Sequence, residues 1–143
     1  MFNLYKDGLD LESLRHYCME HGEVRLLKRG EIFEDAGKPS QYVAYVERGC
    51  FKYMVNNQEE GKDYCTGFAF EGEFVADYPN CLTGNKSSVT IVAGTTCKIF
   101  QILGKELETL LESLNTEGLK QVISDRLFAQ VYTQYLDTYR MTT

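Results

Sequence analysis

Apolar and polar positions change rhythm along the 143 residues. Leu9, Leu11, Leu14, Tyr17 and Cys18 recur at helical spacing, with Asp10 placed to cap the segment and Gly22 placed to end it. From there to about Leu103 the period shortens to that of strands broken by turns. "EVRLLKRGEIFEDAG" gives two brief apolar stretches around Gly30, and "QYVAYVERGCFKYMVNN" predicts two strands rich in Val, Tyr and Phe, joined through Glu47-Arg48-Gly49. "KDYCTGFAFEGEFV" and "SSVTIVAGTTCKIFQIL" add more. Six to eight short strands with Gly-marked turns imply an antiparallel sandwich or roll, roughly the spacing such folds show.

After Leu103 the helical period returns. "GKELETLLESL" sets Leu107, Leu110, Leu111 and Leu114 on one face. In the last segment Leu119, Ile123, Leu127, Val131 and Tyr135 form one i,i+4 row, and Phe128, Tyr132, Leu136 and Tyr139 form a second. Two adjacent rows make an arc wider than one docking surface needs. A helix buried entirely against its own sheet is one explanation. The preferred one is a helix that packs on its own domain with one row and on a symmetry-related copy with the other. That reading places Leu127, Phe128, Val131, Tyr132, Tyr135 and Leu136 at a homodimer interface.

The expected fold is therefore mainly β with flanking helices: a double-stranded β-helix (jelly roll) followed by a long C-terminal dimerisation helix. One domain fills the chain, with a helical segment over 1–22, the β-roll over 23–103 and C-terminal helices over 104–143. Composition narrows its use. A 43% hydrophobic content supports a single core, and no apolar run approaches the roughly 18 residues that span a bilayer. The N-terminus lacks a basic region followed by an apolar stretch, so a cytoplasmic protein without membrane contact is expected. Five cysteines without a C-x-x-C spacing read as small buried hydrophobes in a reducing compartment, not as metal or cluster ligands. The net charge of −6 repels phosphate backbones at long range, so these residues are not expected to bind DNA themselves.

One stretch asks for a chemical explanation. "GEFVADYPNCLTGNKSSVTIVAG" holds two acids, a single cation and a serine pair between a glycine and an alternating strand. With Gly30-x-x-Phe33, Gly37, the "YVERGCFKY" hairpin and Gly72-Glu73-Phe74, taken in this order, it resembles the phosphate-binding cassette of the Crp/Fnr family of bacterial transcription regulators, from about Leu11 to Tyr139. In cyclic-AMP-binding members an arginine neutralises the cyclic phosphate, a neighbouring hydroxyl adds a donor, and a glutamate takes the ribose 2′-hydroxyl. The resemblance puts Asp77 at the glutamate position, Ser88 at the hydroxyl position and Ser87 at the arginine position. Lys86 is adjacent, but neighbours in an extended segment point to opposite faces. Pro79 requires the cassette helix to start late or be reshaped.

The candidate ligand-binding residues are accordingly Gly72, Glu73, Asp77, Lys86, Ser87 and Ser88, with Phe68, Phe70 and Tyr78 as lining aromatics. Tight cyclic AMP binding is not expected, because the cation that pairs with the phosphate is absent. A different small-molecule effector, or a vestigial pocket, are the readings left. In the second, Ser87 and Ser88 form a solvent-facing strand edge and Asp77 caps a helix. The resemblance implies an effector-sensing and dimerisation domain of a regulator that touches DNA only through a C-terminal domain beyond this chain, and no enzyme. The chain is expected to be a sensor domain cut from a longer regulator; the alternatives are a natural standalone domain with a vestigial pocket and a cupin-like metalloenzyme. The latter wants several histidines inside the barrel, whereas the chain has only His16 and His21, outside it. A cysteine- or haem-based redox sensor finds only Cys18 near the N-terminus and the same two histidines. No cofactor and no metal are expected.

Overall fold

The structure, a computed structural model, describes residues 11–112. Helix α1 (Leu11–His21) leads into strands β1 (Glu23–Leu27), β2 (Ile32–Glu34), β3 (Tyr42–Arg48), β4 (Phe51–Asn57), β5 (Lys62–Ala69) and β6 (Phe74–Val75). A one-turn helix α2 (Asn80–Thr83) comes next, then β7 (Thr90–Ala93), β8 (Cys97–Leu103) and helix α3 (Gly104–Glu112). The eight strands form two four-stranded sheets, ordered β1-β8-β3-β6 and β2-β7-β4-β5, with every pairing antiparallel. This is the expected mainly-β roll.

Alternation explains why the first sheet is apolar on both faces. Along β8, Cys97 and Ile99 enter the core between the sheets, while Phe100 and Ile102 face the helices. In β3, Ala44 and Val46 point inward, while Val43 and Tyr45 point outward. The inner core also holds Phe33, Phe51, Tyr53, Val75 and Ile91. Phe51 is fully buried, its ring set edge-on to Phe33 at 5.7 Å between centroids. Removing one such side chain from water contributes about 1.5–3 kcal/mol.

The outer core is built by Leu14 and Cys18 of α1 and Leu107 and Leu111 of α3, packed on Val43, Phe100 and Ile102. Leu110 is half-buried, so the leucine face of this helix is seated as its spacing predicts; Leu114 lies outside the described residues. Tyr17 donates its hydroxyl to Glu106 and ties α1 to α3, and that bond pushes its pKa up to about 12.

One expectation is overturned. β3 and β4 are not a paired hairpin: β3 bonds β8 and β6, whereas β4 bonds β5 and β7. The turn between them carries the chain from one sheet to the other. Gly49 makes the crossing with φ of 91°, where a Cβ would meet the Cys97 sulfur at 2.7 Å. The long C-terminal helix and its interface residues Leu127, Phe128, Val131, Tyr132, Tyr135 and Leu136 lie outside the described residues.

Candidate functional site

The cassette runs from the turn after β5 to the start of β7. Pro79, behind a cis Tyr78–Pro79 bond, occupies the position before α2, so the helix starts at Asn80 and lasts one turn. Gly84, with φ of 73°, closes it by donating its N–H to the Asn80 carbonyl. A second tie joins the loop to the segment before β3: Ser87 N–H donates to the Lys38 carbonyl at 2.8 Å, and Gly37 N–H to the Ser87 carbonyl at 2.9 Å.

Asp77 is the hub. It is 8% exposed. Its Oδ2 accepts the backbone N–H of Ser88 at 2.9 Å and the side-chain amide of Asn80 at 3.0 Å, and the Ser88 hydroxyl lies 3.4 Å from Oδ1. The Asp77 carbonyl takes the N–H of Cys81. Asp77 is thus no side-chain cap of α2; its carboxylate reaches over the helix to the far end of the loop.

The serine pair divides as alternation requires. Ser87 is buried and donates its hydroxyl to the Val89 carbonyl at 2.7 Å, while Ser88 is exposed. A solvent-facing edge for both does not hold. Lys86 points to solvent, beside Pro39 across an isolated bridge. Gly72 and Glu73 belong to a different local network. Gly72 N–H donates to the Val46 carbonyl, and Glu73 Oε1 receives the Phe70 N–H within their own turn. The cassette therefore brings together Asp77, Ser87 and Ser88, and leaves Gly72, Glu73 and Lys86 outside that cluster.

The aromatics separate as well. Tyr78 is buried in the outer core against the helices, whereas Phe68 and the exposed Phe70 stack on one another at 5.6 Å. Phe68 neighbours Ala69, which faces the inner core, so Phe68 faces away from it. The three do not line one pocket.

Glu34 is the residue that sequence reasoning passed over. It is 5% exposed, and its Oε1 accepts the N–H groups of Gln41 and Tyr42 at 3.1 and 3.0 Å. Burial raises its pKa, the Asp77 charge adds to the rise, and the two N–H bonds and Arg25 oppose it. Burial also lifts the Cys81 thiol to about 12, with Asp77 and Glu34 adding to the effect. Two buried carboxyl groups thus stand within electrostatic reach of one another in the cassette region. Lys38 is engaged with Asp35 at 3.4 Å.

The loop's donors are also committed. The N–H groups of Cys81, Leu82, Gly84, Asn85, Ser87 and Ser88 all find acceptors within the chain. A phosphate entering here meets Asp77 and Glu34, and six amides already bonded. No group of three or more His, Cys, Asp or Glu side chains able to hold a metal ion occurs among the described residues.

Comparison with known proteins agrees with this architecture. The sequence pattern of the family described as "Cyclic nucleotide-binding domain" matches residues 14–114, well over half of the chain. No curated protein sequence matches the chain. Among solved structures, the c-di-GMP-responsive global regulator CLP of Xanthomonas campestris superposes with a TM-score of 0.70 at 20% identity, covering 92% of this chain and 62% of that one. The Thermus thermophilus catabolite activator protein gives 0.65 at 16% identity, covering 94% and 59%. The sensor domain of the regulator DNR from Pseudomonas aeruginosa gives 0.65 at 16% identity, covering 81% and 75%. The chain thus spans about three fifths of the length of CLP and of the activator protein, and at these identities the likeness establishes the fold. With the roll, the cassette and the matched segment in agreement, the chain belongs to the cyclic nucleotide-binding domain family.

Proposed function

We propose that this chain is the effector-sensing and dimerisation domain of a Crp/Fnr-type transcription regulator, and that its cassette does not hold cyclic AMP tightly. The carrying observation is the Asp77 carboxylate. It accepts the Ser88 N–H at 2.9 Å, beside a serine where the family's cyclic-AMP binders place arginine. The chain's own anion also takes the Ser88 hydroxyl, the donor that the resemblance assigns to a ligand phosphate. A charge-assisted contact to phosphate is worth about 1.5–3 kcal/mol, so its loss alone weakens a cyclic nucleotide by roughly tenfold to a hundredfold. The neighbouring acids Asp77 and Glu34 add repulsion to that loss.

In this reading the protein is a cytoplasmic regulator and not an enzyme. DNA contact belongs to a further domain of the regulator, and the last helix joins two copies through Leu127, Phe128, Val131, Tyr132, Tyr135 and Leu136. The activator and CLP, both longer than this chain, support the regulatory assignment. Calorimetric titration with cyclic AMP and cyclic GMP is the test of the pocket. No saturable heat is expected below about 100 μM; a sub-micromolar dissociation constant for either nucleotide would refute the cassette reading. For the assembly, sedimentation of the full chain should give a dimer and Leu127→Asp a monomer. A monodisperse monomer of the unaltered chain at high micromolar concentration would remove the dimer.

A further inference from the structure

The two sheets of the roll are finished differently on their outer faces. The first is covered: α1 and α3 seat Leu14, Cys18, Leu107 and Leu111 on Val43, Phe100 and Ile102. The principal contacts of these helices with the sheets all fall on β3 and β8. The second sheet, β2-β7-β4-β5, has no such cover among the described residues.

Register defines what that second face presents. Phe51, Tyr53, Ile91 and Ala93 enter the inner core, so their neighbours Lys52, Met54 and Val92 point outward. Phe68 pairs with Lys52, Lys52 with Val92 and Val92 with Ile32, one row across all four strands. Ile32 ends the row 46% exposed; at the other end Phe70, 51% exposed, stacks on Phe68. Met54 stands beside the row, half-buried, and the bonded pair Asn56 and Asp63 bounds it further along the hairpin. A sheet face left to water alternates to polar side chains. This one sets apolar groups around Lys52, which enters no ion pair among the described residues.

The chain carries a complement to it. In residues 113–143 the second apolar row, Phe128, Tyr132, Leu136 and Tyr139, is preceded at the same helical spacing by one acid, Asp125. An apolar row with one carboxylate matches an apolar face with one ammonium. Reach decides which copy supplies it. The face lies on the opposite side of the roll from α3, about 10 Å across the sheets and about 10 Å more for a helix layer on each side. Residues 113–118 extend about 20 Å at most and must pass around the roll, too short to lay the row flat there. Pairing two rolls through this face would set Lys52 against its own copy. We propose that the outer face of β2-β7-β4-β5 receives the C-terminal segment of a second copy, with Phe128, Tyr132 and Leu136 on Met54, Phe68 and Val92, and Asp125 paired with Lys52. This rests on the dimer reading above and names the surface that the partner's segment meets.

The test places a benzophenone side chain at Met54 in the full chain and reconstitutes the protein from light and nitrogen-15-labelled copies. Irradiation should join position 54 to peptides within residues 119–139, with light and heavy copies linked. Lys52→Glu should weaken the dimer about tenfold, since symmetry makes the pair twice, and Asp125→Lys in the same chain should restore it. That rescue separates a lost contact from a lost fold. A monomeric parent chain would remove the dimer and this inference together. A persistent dimer that Lys52→Glu leaves unchanged, that Asp125→Lys fails to rescue, or whose crosslinks stay within one copy, run from roll to roll or reach residues 1–10, would overturn this inference alone.

Discussion

The β-roll and the cassette are neighbours made by opposite means. In the roll, strand order and side-chain alternation dispose of the backbone polar groups, and cohesion comes from apolar burial around Phe51, Ile91 and Ile99. In the cassette one short helix turn and a loop leave many donors without a ladder. A single buried carboxylate, Asp77, gathers one of them, the Ser88 N–H, together with the Asn80 side-chain amide. The roll is redundant, since many side chains share its stability. The cassette is concentrated, since its shape passes through few bonds. Variation in the roll should be spread over the whole domain, and variation in the cassette should stay local and change what the loop can accept.

The sharpest way to break the contrast is Phe51→Ala, which hollows the shared core. It should cost about 3–5 kcal/mol, read as a lower denaturation midpoint for all probes together. A loss below about 1 kcal/mol would mean that the inner core is not the common support. Gly104→Ala strikes the seam between the two regions, because a Cβ there collides with the Cys81 carbonyl. A cost of about 1–3 kcal/mol is expected, with shifted amide resonances on both α2 and α3; unchanged spectra would show that the contact is slack.

Asp77→Ala tests the cassette's concentration. It should cost about 1–3 kcal/mol by removing the charged acceptor of the Ser88 N–H and the Asn80 amide, and hydrogen exchange should speed at Ser88 while β4 amides keep their protection. Uniform acceleration would erase the distinction between the regions. Glu34→Gln has the smallest effect at neutral pH, because an amide oxygen can still accept from Gln41 and Tyr42.

Its value lies in the pH dependence. Burial holds the folded-state pKa of Glu34 above its ordinary 4.5, so the folded protein binds that proton more tightly than the unfolded chain does. This contribution to stability is full below 4.5, falls as pH rises through the folded-state value, and is absent above it. Glu34→Gln should therefore flatten that segment of the stability-pH curve. A variant curve parallel to the parent's from about pH 4 upward would show that Glu34 ionises as freely in the fold as outside it.

Legibility from the residues divides along the same line. The strands of the roll were legible because β3 and β8 are short runs rich in branched and aromatic residues, a composition that local sequence carries. The false hairpin arose because "VERGC" has the composition of a tight turn, and nothing local says that Gly49 hands the chain to the other sheet. Glu34 escaped for a related reason. The register slips between Ile32 and Glu34 opposite β7, so Phe33 and Glu34 are both buried where simple alternation would expose one of them. In the cassette, the positions of Asp77, Ser87 and Ser88 were legible through resemblance, and the opposite facing of Lys86 and Ser87 through period-two geometry. Their bonds were not, because the partners of Asp77 lie three and eleven residues away across an irregular loop.

Gly104 closes the distance between α3 and the cassette until the helix root rests on the bare backbone of Cys81. With no side chain between them there is no padding to absorb a displacement. A displacement of α2 would therefore press directly on the root of α3, whose Leu107 and Leu111 are seated on the sheet.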